Sequence, residues 1–270
     1  MNLPNKYIVW ILASLIGTAH LLSANFVNTY VDFDTTLSNA KHILTKFEAP
    51  LSDEEEQKCL AFLKYTFAKE TIAFDRVRQN DLADWMLQRP AHVEATTEVL
   101  LEVLDDESAD LLWREFCIQK LALAASQPSL SKSLKAKCYK TLLEKTTDAT
   151  ISFSGTALLG LYRLHVSNPE EFSASKLLPL AENVINQNKF SMANKVTALQ
   201  VAGLLESQEA LEYARSIVQS EEPIQLRISA IALLAKKGNT EDLGIIRSLN
   251  QSKDLRLRRS SSAAVAKLEN

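Results

Sequence analysis

The chain has 270 residues and a net charge of −3, with 46% hydrophobic and 23% charged residues. These proportions are those of a folded protein and exclude a disordered chain. Its 6 glycines and 7 prolines are too few for the turns of a many-stranded β protein, whereas residues that favour helices are abundant. We therefore predict an all-α fold, and the acidic net charge argues against nucleic acid as a partner.

The first 24 residues have the pattern of a signal peptide. Lys6 supplies the positive start, an apolar run over 7–16 has the expected length, and cleavage would fit after Ala19 or Ala24. The stretch 7–24 is also just long enough for an uncleaved membrane anchor, and a buried cytoplasmic helix is a third alternative. The favoured interpretation predicts an exported protein, either periplasmic or secreted.

Beyond the signal peptide, the chain reads as amphipathic helices joined by short polar breaks. We expect a first helix near 35–47 and a second that begins after a capping box at Ser52 and Glu55. Further helices are expected over 81–89, 92–104, 109–125 and 129–144, and two more are expected to begin near Ser154 and Ser175. Four prolines fall between these segments, where they interrupt no helical hydrogen bond: Pro90, Pro128, Pro169 and Pro223.

Residues 191–270 contain an internal repeat. Segments that begin at Lys195, Arg227 and Arg258 each have a basic residue, a hydroxyl two positions later, and a run of small and apolar residues. The spacings of 32 and 31 residues suit two short helices and two turns. A single helix pair cannot bury its apolar face alone, so we expect the pairs to stack into an α-solenoid. Small residues would let the helices approach closely, and a glycine would end one of them: Ala198, Ala202, Ala230, Ala263 and Gly238.

The segments Glu222-Pro-Ile-Gln-Leu-Arg227 and Asp254-Leu-Arg-Leu-Arg258 resemble the HEAT and HEAT-like (PBS lyase-type) repeat. That pattern has an acidic turn, an apolar–Arg pair and a small-residue helix. The resemblance is good over 191–270, and the region 25–190 is expected to continue it as irregular helical repeats. The segment 113–119 is similar to parts of exported, uncharacterised bacterial HEAT-like proteins. The family implies a superhelical scaffold and no particular reaction.

Residues with reactive side chains form no recognisable catalytic set. Cys59, Cys117 and Cys138 lie on apolar helical stripes, which favours core packing over a Cys117–Cys138 disulfide or a reactive thiol. The histidines beyond the signal peptide are far apart, and HExxH and GxSxG motifs are absent. We therefore predict no catalytic residue, no cofactor and no metal ligand.

The candidate interaction residues are basic and lie in the repeats: Lys195, Arg227, Arg256, Arg258 and Arg259. Phosphate or DNA binding is one interpretation, but export disfavours it. The favoured alternative is a structural ladder, in which Arg227 and Arg258 hydrogen-bond acids or carbonyls at the turns between repeats. Acids dominate over 48–115 and bases from 222 onward, which would give two contact areas of opposite charge.

Together these features predict a non-catalytic scaffold of the bacterial cell envelope or extracellular space, with an unknown protein partner. Two alternatives stay open. One is a HEAT-like enzyme, since the family includes bilin lyases and DNA glycosylases. The other is a membrane-anchored accessory subunit, which would need an uncleaved N-terminal segment.

Overall fold

The computed structural model describes residues 51–64, 72–149 and 153–269. These ranges contain twelve α-helices and one 3-10 helix and no β-strand, so the all-α prediction is confirmed. The signal peptide and the helix expected near 35–47 lie outside the described residues. Among the described residues, those up to Phe62 belong to one compact unit and those from Leu63 onward belong to a second.

The helices have the following bounds: α1 Asp53–Lys64, α2 Ile72–Leu87, α3 Val93–Asp105, α4 Leu111–Ala125, α5 Lys132–Thr147, α6 Ser154–Ser167, α7 Ala174–Asn186, α8 Met192–Leu204, α9 Gln208–Val218, α10 Ile224–Lys237, α11 Asp242–Ser248, the 3-10 helix Leu249–Gln251, and α12 Leu255–Leu268. The four prolines named above all lie between helices, as predicted. Pro179 lies inside α7.

The helices from α2 onward alternate between two layers. Each even-numbered helix contacts the next even-numbered helix, whereas the odd-numbered helices from α3 to α11 contact one another much less. Helices α3, α5, α7 and α9 are each held mainly by the even-numbered helices on either side of them in the sequence, whereas α11 contacts α12, the 3-10 helix and α9. This stacking of successive helix pairs is an α-solenoid of HEAT-like pairs, and it confirms the predicted fold class.

Small residues in the even-numbered layer allow this close stacking. Ala198, Ala202 and Ala230 are fully buried, as expected. A Cβ atom added to Gly203 in α8 would overlap the Leu233 side chain in α10. Ala263, in contrast, is exposed on α12. The buried small residue of that helix is its neighbour, Ala264.

Polar side chains begin many of the helices. At α1 the predicted capping box is present, because Ser52 N–H donates to Glu55 Oε2 at 2.9 Å and Glu55 N–H donates to Ser52 Oγ at 3.3 Å. Asp110, Ser191 and Ser207 cap α4, α8 and α9 by accepting backbone N–H bonds with their side chains. Within the described residues, no helix is both long enough and apolar enough to cross a membrane.

Candidate functional site

Arg227 and Arg258 hold equivalent positions, the fourth residue of α10 and of α12. Arg227 Nε donates to the carbonyl of Val218, the last residue of α9, at 3.0 Å. Arg258 Nη1 donates to the carbonyl of Ser252, just after the 3-10 helix, at 2.7 Å. The last carbonyls of a helix lack helical partners and attract positive charge, so each arginine closes the end of the preceding helix.

Arg114 makes the same kind of contact at a position that the sequence analysis did not single out. It is the fourth residue of α4, and its Nη2 donates to the carbonyl of Leu104, near the end of α3, at 3.1 Å. Lys195 is the fourth residue of α8, but within the described residues its side chain makes no hydrogen bond or ion pair. The contact therefore recurs in three repeats and is missing at α8.

Arg256 and Arg259 are both exposed on α12. Arg256 Nη2 pairs with Asp254 Oδ2 at 2.9 Å, and this pairing holds the pKa of Asp254 down at about 2. Arg259 makes no ion pair with the rest of the described chain. Of the five candidate residues, Arg227 and Arg258 bind carbonyl groups, whereas Lys195, Arg256 and Arg259 do not. A role for any of the five in binding a partner stays a prediction.

The three cysteines are buried, and each is present as a free thiol. Burial raises the pKa of Cys59 and of Cys138 to about 12, and it raises that of Cys117 as well. A thiol with so high a pKa is protonated at neutral pH and is a poor nucleophile. The geometry is that of core residues, and Cys117 and Cys138 form no disulfide in the structure.

The described histidines also make internal contacts. His92 is buried and stacks on Trp85 with ring centroids 6.2 Å apart. His165 Nδ1 lies 2.6 Å from the carbonyl oxygen of Phe172. Within the described part of the chain, no three His, Cys, Asp or Glu side chains come together in a group that could hold a metal ion.

A buried polar cluster joins α2 to the start of α4. Arg76 is fully buried, and its guanidinium donates to Asp110 Oδ1 at 2.9 Å and to Gln79 Oε1 at 2.6 Å. Asp110 also accepts the backbone N–H of Trp113 at 3.0 Å, while the Trp113 indole donates to the carbonyl of Leu63 at 2.9 Å. Each of these contacts joins parts of the protein interior, so the cluster orients α2 against α4.

A notch of about 210 Å³ lies where α8 ends beside α9 and α10. We call it the α8–α10 notch. It is lined by Gly203, Glu206, Ser207, Gln208, Leu211, Leu233 and Lys237. Leu211 and Leu233 belong to the buried core, so the floor is apolar and the charged groups stand at the rim.

Glu206 has an unusual backbone conformation at the rim of the notch. Its φ is 63°, and no other non-glycine residue in the described ranges has a positive φ. Its N–H donates to the carbonyl of Gly203 at 3.4 Å, and the Ser207 N–H donates to the carbonyl of Ala202 at 3.0 Å. These two bonds form a Schellman motif, whose left-handed position is most often glycine because a side chain there is strained.

The Glu206 side chain pairs with Lys237 across the notch, with 2.6 Å between Oε1 and Nζ. The hydrogen bond from Lys237 lowers the pKa of Glu206, so the carboxyl is ionised at neutral pH. Behind this pair, the buried Ser207 hydroxyl donates to Glu182 Oε1 at 2.7 Å and accepts the Ala210 N–H at 2.9 Å. Ser207 is therefore fully engaged as a helix cap, which leaves Glu206 and Lys237 as the groups that a ligand would meet.

Further polar groups lie close to Lys237. Burial lowers the pKa of Lys236, and the ammonium groups of Lys237 and Lys267 lower it further, so the three lysines are near one another. Burial raises the pKa of Tyr162 in α6, and the nearby Lys237 opposes that rise.

The notch was not predicted from the sequence, although one signal was present. In the repeat register set by Lys195 and Arg227, Glu206 takes the place of Gly238. A charged residue where the next repeat has a glycine indicates that the end of α8 differs from the end of α10. Lys237, which directly precedes that glycine, is the residue that pairs with Glu206.

No family model and no curated protein matches the sequence. Among solved structures, human deoxyhypusine hydroxylase in complex with glycerol is similar, with 13% identity and a TM-score of 0.34. The match covers 87% of this chain and 97% of that chain. A similarity this weak carries no residue role, reaction or ligand to this chain.

The comparison does correct one prediction. We expected a non-catalytic protein-binding scaffold, but the similar solved structure is that of an enzyme. That is the class which the sequence analysis kept as its alternative. The scaffold prediction is not kept.

Proposed function

We propose that this chain is a HEAT-like repeat protein that binds a small polar ligand in the α8–α10 notch, as an enzyme does. The observation that carries the proposal is the left-handed backbone of Glu206 at the notch rim. Left-handed non-glycine residues persist only where their surroundings enforce them, and they are concentrated at active sites and ligand-binding positions. Glu206 fits that description because its carboxylate faces Lys237 across a concave surface.

The size and lining of the notch limit what it can bind. A volume of about 210 Å³ is below the range of about 300–1,000 Å³ that is typical of sites for drug-sized molecules. The ligand is therefore a small molecule, or one end of a larger one. Leu211 and Leu233 would contact its apolar part, while Glu206, Gln208 and Lys237 would bind its polar groups.

A notch-filling variant tests the proposal. Gln208 is exposed at the first position of α9 and lines the notch, so Gln208→Trp would occupy the site without entering the core. Gln225→Trp is the matched control, because Gln225 is exposed near the start of α10 and is not part of the lining.

Ligands would be sought by a small-molecule screen that follows backbone amide shifts by NMR. We expect molecules that shift the amides of residues 203–211 in the wild type and in Gln225→Trp but not in Gln208→Trp. If no molecule shifts those amides, or if Gln208→Trp binds as well as the wild type, the proposed function is wrong. Any molecule that binds in the notch would then be tested for chemical turnover.

We also propose that the protein is exported and belongs to the bacterial HEAT-like, PBS lyase-type proteins. The support is the signal-peptide pattern of residues 1–24 and the repeat motifs at Arg227 and Arg258. Full-length protein with a C-terminal tag would be expressed in a Gram-negative host, and its N-terminal mass would be measured. A product that begins at His20 or Asn25 supports export. An intact chain in the membrane fraction supports the anchored alternative, and an intact chain in the cytosol contradicts both.

A further inference from the structure

We infer that the ligand of the α8–α10 notch is a free α-amino acid in its zwitterionic form, with an apolar side chain. The inference rests on the proposed function and adds the chemical class of the ligand. Its basis is the lining of the notch, which combines one carboxylate, one ammonium group and two leucine side chains.

Two charged side chains line the notch, and their charges are opposite. Glu206 and Lys237 are in contact, with 2.6 Å between Oε1 and Nζ, and the other lining residues are uncharged. An anion that paired with Lys237 would be repelled by the adjacent Glu206 carboxylate, and a cation that paired with Glu206 would be repelled by Lys237. A ligand with both charges avoids this repulsion, because its ammonium group pairs with Glu206 while its carboxylate pairs with Lys237.

The closeness of Glu206 and Lys237 also limits how far apart the charges of the ligand are. In an α-amino acid the ammonium and carboxylate groups are attached to the same carbon atom, so both can contact two neighbouring protein groups at once. A peptide does not offer this arrangement, because its two terminal charges are on different residues. The short distance therefore favours a single amino acid.

The Glu206–Lys237 pair is accessible to such a ligand. The Glu206 side chain is 74% exposed and that of Lys237 is 30% exposed. Exposed ion pairs contribute little to stability because solvent screens them, so a ligand can separate this pair at small cost. Two ion pairs between protein and ligand then take the place of one within the protein.

Other carboxylates close to the notch are already bound within the protein. The Glu182 carboxylate accepts the hydrogen bond of the buried Ser207 hydroxyl, and the Glu209 carboxylate accepts that of the Asn186 amide. Neither residue is part of the lining. Glu206 is therefore the carboxylate that the ammonium group of a ligand meets in the notch.

The apolar floor accounts for the side chain of the ligand. Leu211 and Leu233 belong to the buried core, and both line the notch. An aliphatic side chain that covers them is removed from water, which favours binding. The volume of about 210 Å³, which is smaller than the sites of drug-sized molecules, suits a single amino acid.

Titration with L-leucine and L-alanine, followed by isothermal calorimetry and by amide shifts of residues 203–211, tests this inference. Four analogues of leucine each lack one feature: 4-methylpentanoate lacks the ammonium group, 3-methylbutylamine lacks the carboxylate, glycine lacks the apolar side chain, and 6-aminohexanoate has both charges but separates them by a chain of methylene groups. We expect leucine to bind about fivefold or more tightly than each analogue, because each analogue loses an ion pair or the apolar contact.

Two variants assign each charge of the ligand to its partner. Lys237→Met should lose the preference for leucine over 3-methylbutylamine, because the carboxylate of leucine no longer has a partner. Glu206→Gln should lose the preference for leucine over 4-methylpentanoate, because the ammonium group no longer has one. Lys253→Met and Glu221→Gln are the matched controls, since both residues are exposed and lie outside the notch lining, and they should keep both preferences.

The outcomes separate this inference from the proposed function. An analogue with one charge that binds as tightly as leucine overturns the assignment to a zwitterion, and so does a preference that survives in the variant designed to remove it. If neither L-leucine nor L-alanine binds while another small molecule shifts the amides of residues 203–211, the inference is wrong although the proposed function stands. No ligand of any kind in the notch overturns both.

Discussion

Glu206 and Gly238 occupy the same register position in successive repeats, yet their backbone conformations are the reverse of what their side chains favour. Glu206 has φ 63°, whereas Gly238, which could adopt that value freely, has φ −73°. The reason for the glycine is space, because a Cβ atom there would meet the Asp242 carboxylate and the Leu234 carbonyl. At the end of α8, the left-handed backbone of Glu206 accompanies the ion pair that the Glu206 side chain forms with Lys237.

Glu206→Gly should make the protein more stable. Glycine adopts a positive φ without the steric cost that a side chain brings, and a cap position is where that relief is largest. We expect the midpoint of thermal unfolding to rise by roughly 2–4 °C for a chain of this size. As a control, Gln219→Gly changes a helix-end residue with φ −101° and should lower the midpoint or leave it unchanged. A lower midpoint for Glu206→Gly would show that its backbone is not strained.

Gly238→Ala should destabilise the protein. The added methyl group would push against the Asp242 carboxylate, which accepts the backbone N–H of Asn239 at 3.0 Å, and against a backbone carbonyl that cannot move freely. Overpacking of this kind costs about 1–3 kcal/mol. Gly244→Ala is a close control, because its added Cβ atom would meet nothing within 4 Å and alanine favours the helix. Urea unfolding of the two variants should therefore show changes of opposite sign.

The ion pair of Asp242 and Arg215 should make stability depend on acid pH. Arg215 binds Asp242 through two bonds of 2.7 and 3.1 Å, and this contact lowers the pKa of Asp242, whose side chain is only 2% exposed. A lowered folded-state pKa gives stability that is present above the unfolded value of about 3.9 and is lost as the pH falls through the folded pKa.

Asp242→Asn should therefore lower the free energy of unfolding at pH 7 by about 1–3 kcal/mol. The difference between wild type and variant should shrink as the pH falls below about 4. Unfolding by urea across pH 3–7 measures both effects. A difference that is the same at all pH values would contradict a role for the ionised carboxyl.

Arg227→Met should destabilise the protein by about 1–3 kcal/mol, because the Val218 carbonyl would lose its charged donor. Arg259→Met is the matched control, since Arg259 is exposed on α12 and makes no ion pair in the described part of the chain. It should change stability by no more than about 0.5 kcal/mol. Equal effects of the two substitutions in chemical denaturation would indicate that the Arg227 contact has no special weight.

The repeats could be predicted from the sequence and the start of α2 could not, and both outcomes have physical causes. Arg227 and Arg258 could be placed in register because each donates to a carbonyl at the end of the preceding helix. The start of α2 was predicted at residue 81 instead of Ile72, because buried polar residues such as Arg76 and Gln79 break the apolar periodicity. Buried polar contacts depend on partners that are distant in sequence, so periodicity cannot reveal them.

The notch was missed for a related reason. Glu206 and Lys237 are 31 residues apart, and they meet only because the Schellman motif turns the chain at the end of α8. No local pattern shows that a glutamate adopts a left-handed conformation. The departure from the repeat at Glu206 was visible in the sequence, but its geometry needed the packed helices α8 and α10.

Ala263 was assigned wrongly to a packed position because it aligns with Ala232, which is exposed on α10, whereas the residue that aligns with the buried Ala230 is Ser261. The exposed face of α12 leads to a further prediction. In the repeat register Arg259 and Ser262 replace Ile228 and Ile231, two residues of α10 that pack in the core. Helix α10 packs against α12, whereas Arg259 and Ser262 are exposed to solvent. The double variant Arg259→Ile with Ser262→Ile would recreate an apolar stripe on the outer face of α12.

We expect that double variant to self-associate with increasing concentration, because apolar stripes of this kind are buried by the next pair of a solenoid. Sedimentation velocity at several concentrations would measure the association. The double variant Arg259→Gln with Ser262→Gln, which keeps the face polar, should sediment like the wild type. If both double variants sediment equally, Arg259 and Ser262 do not prevent self-association through the face of α12.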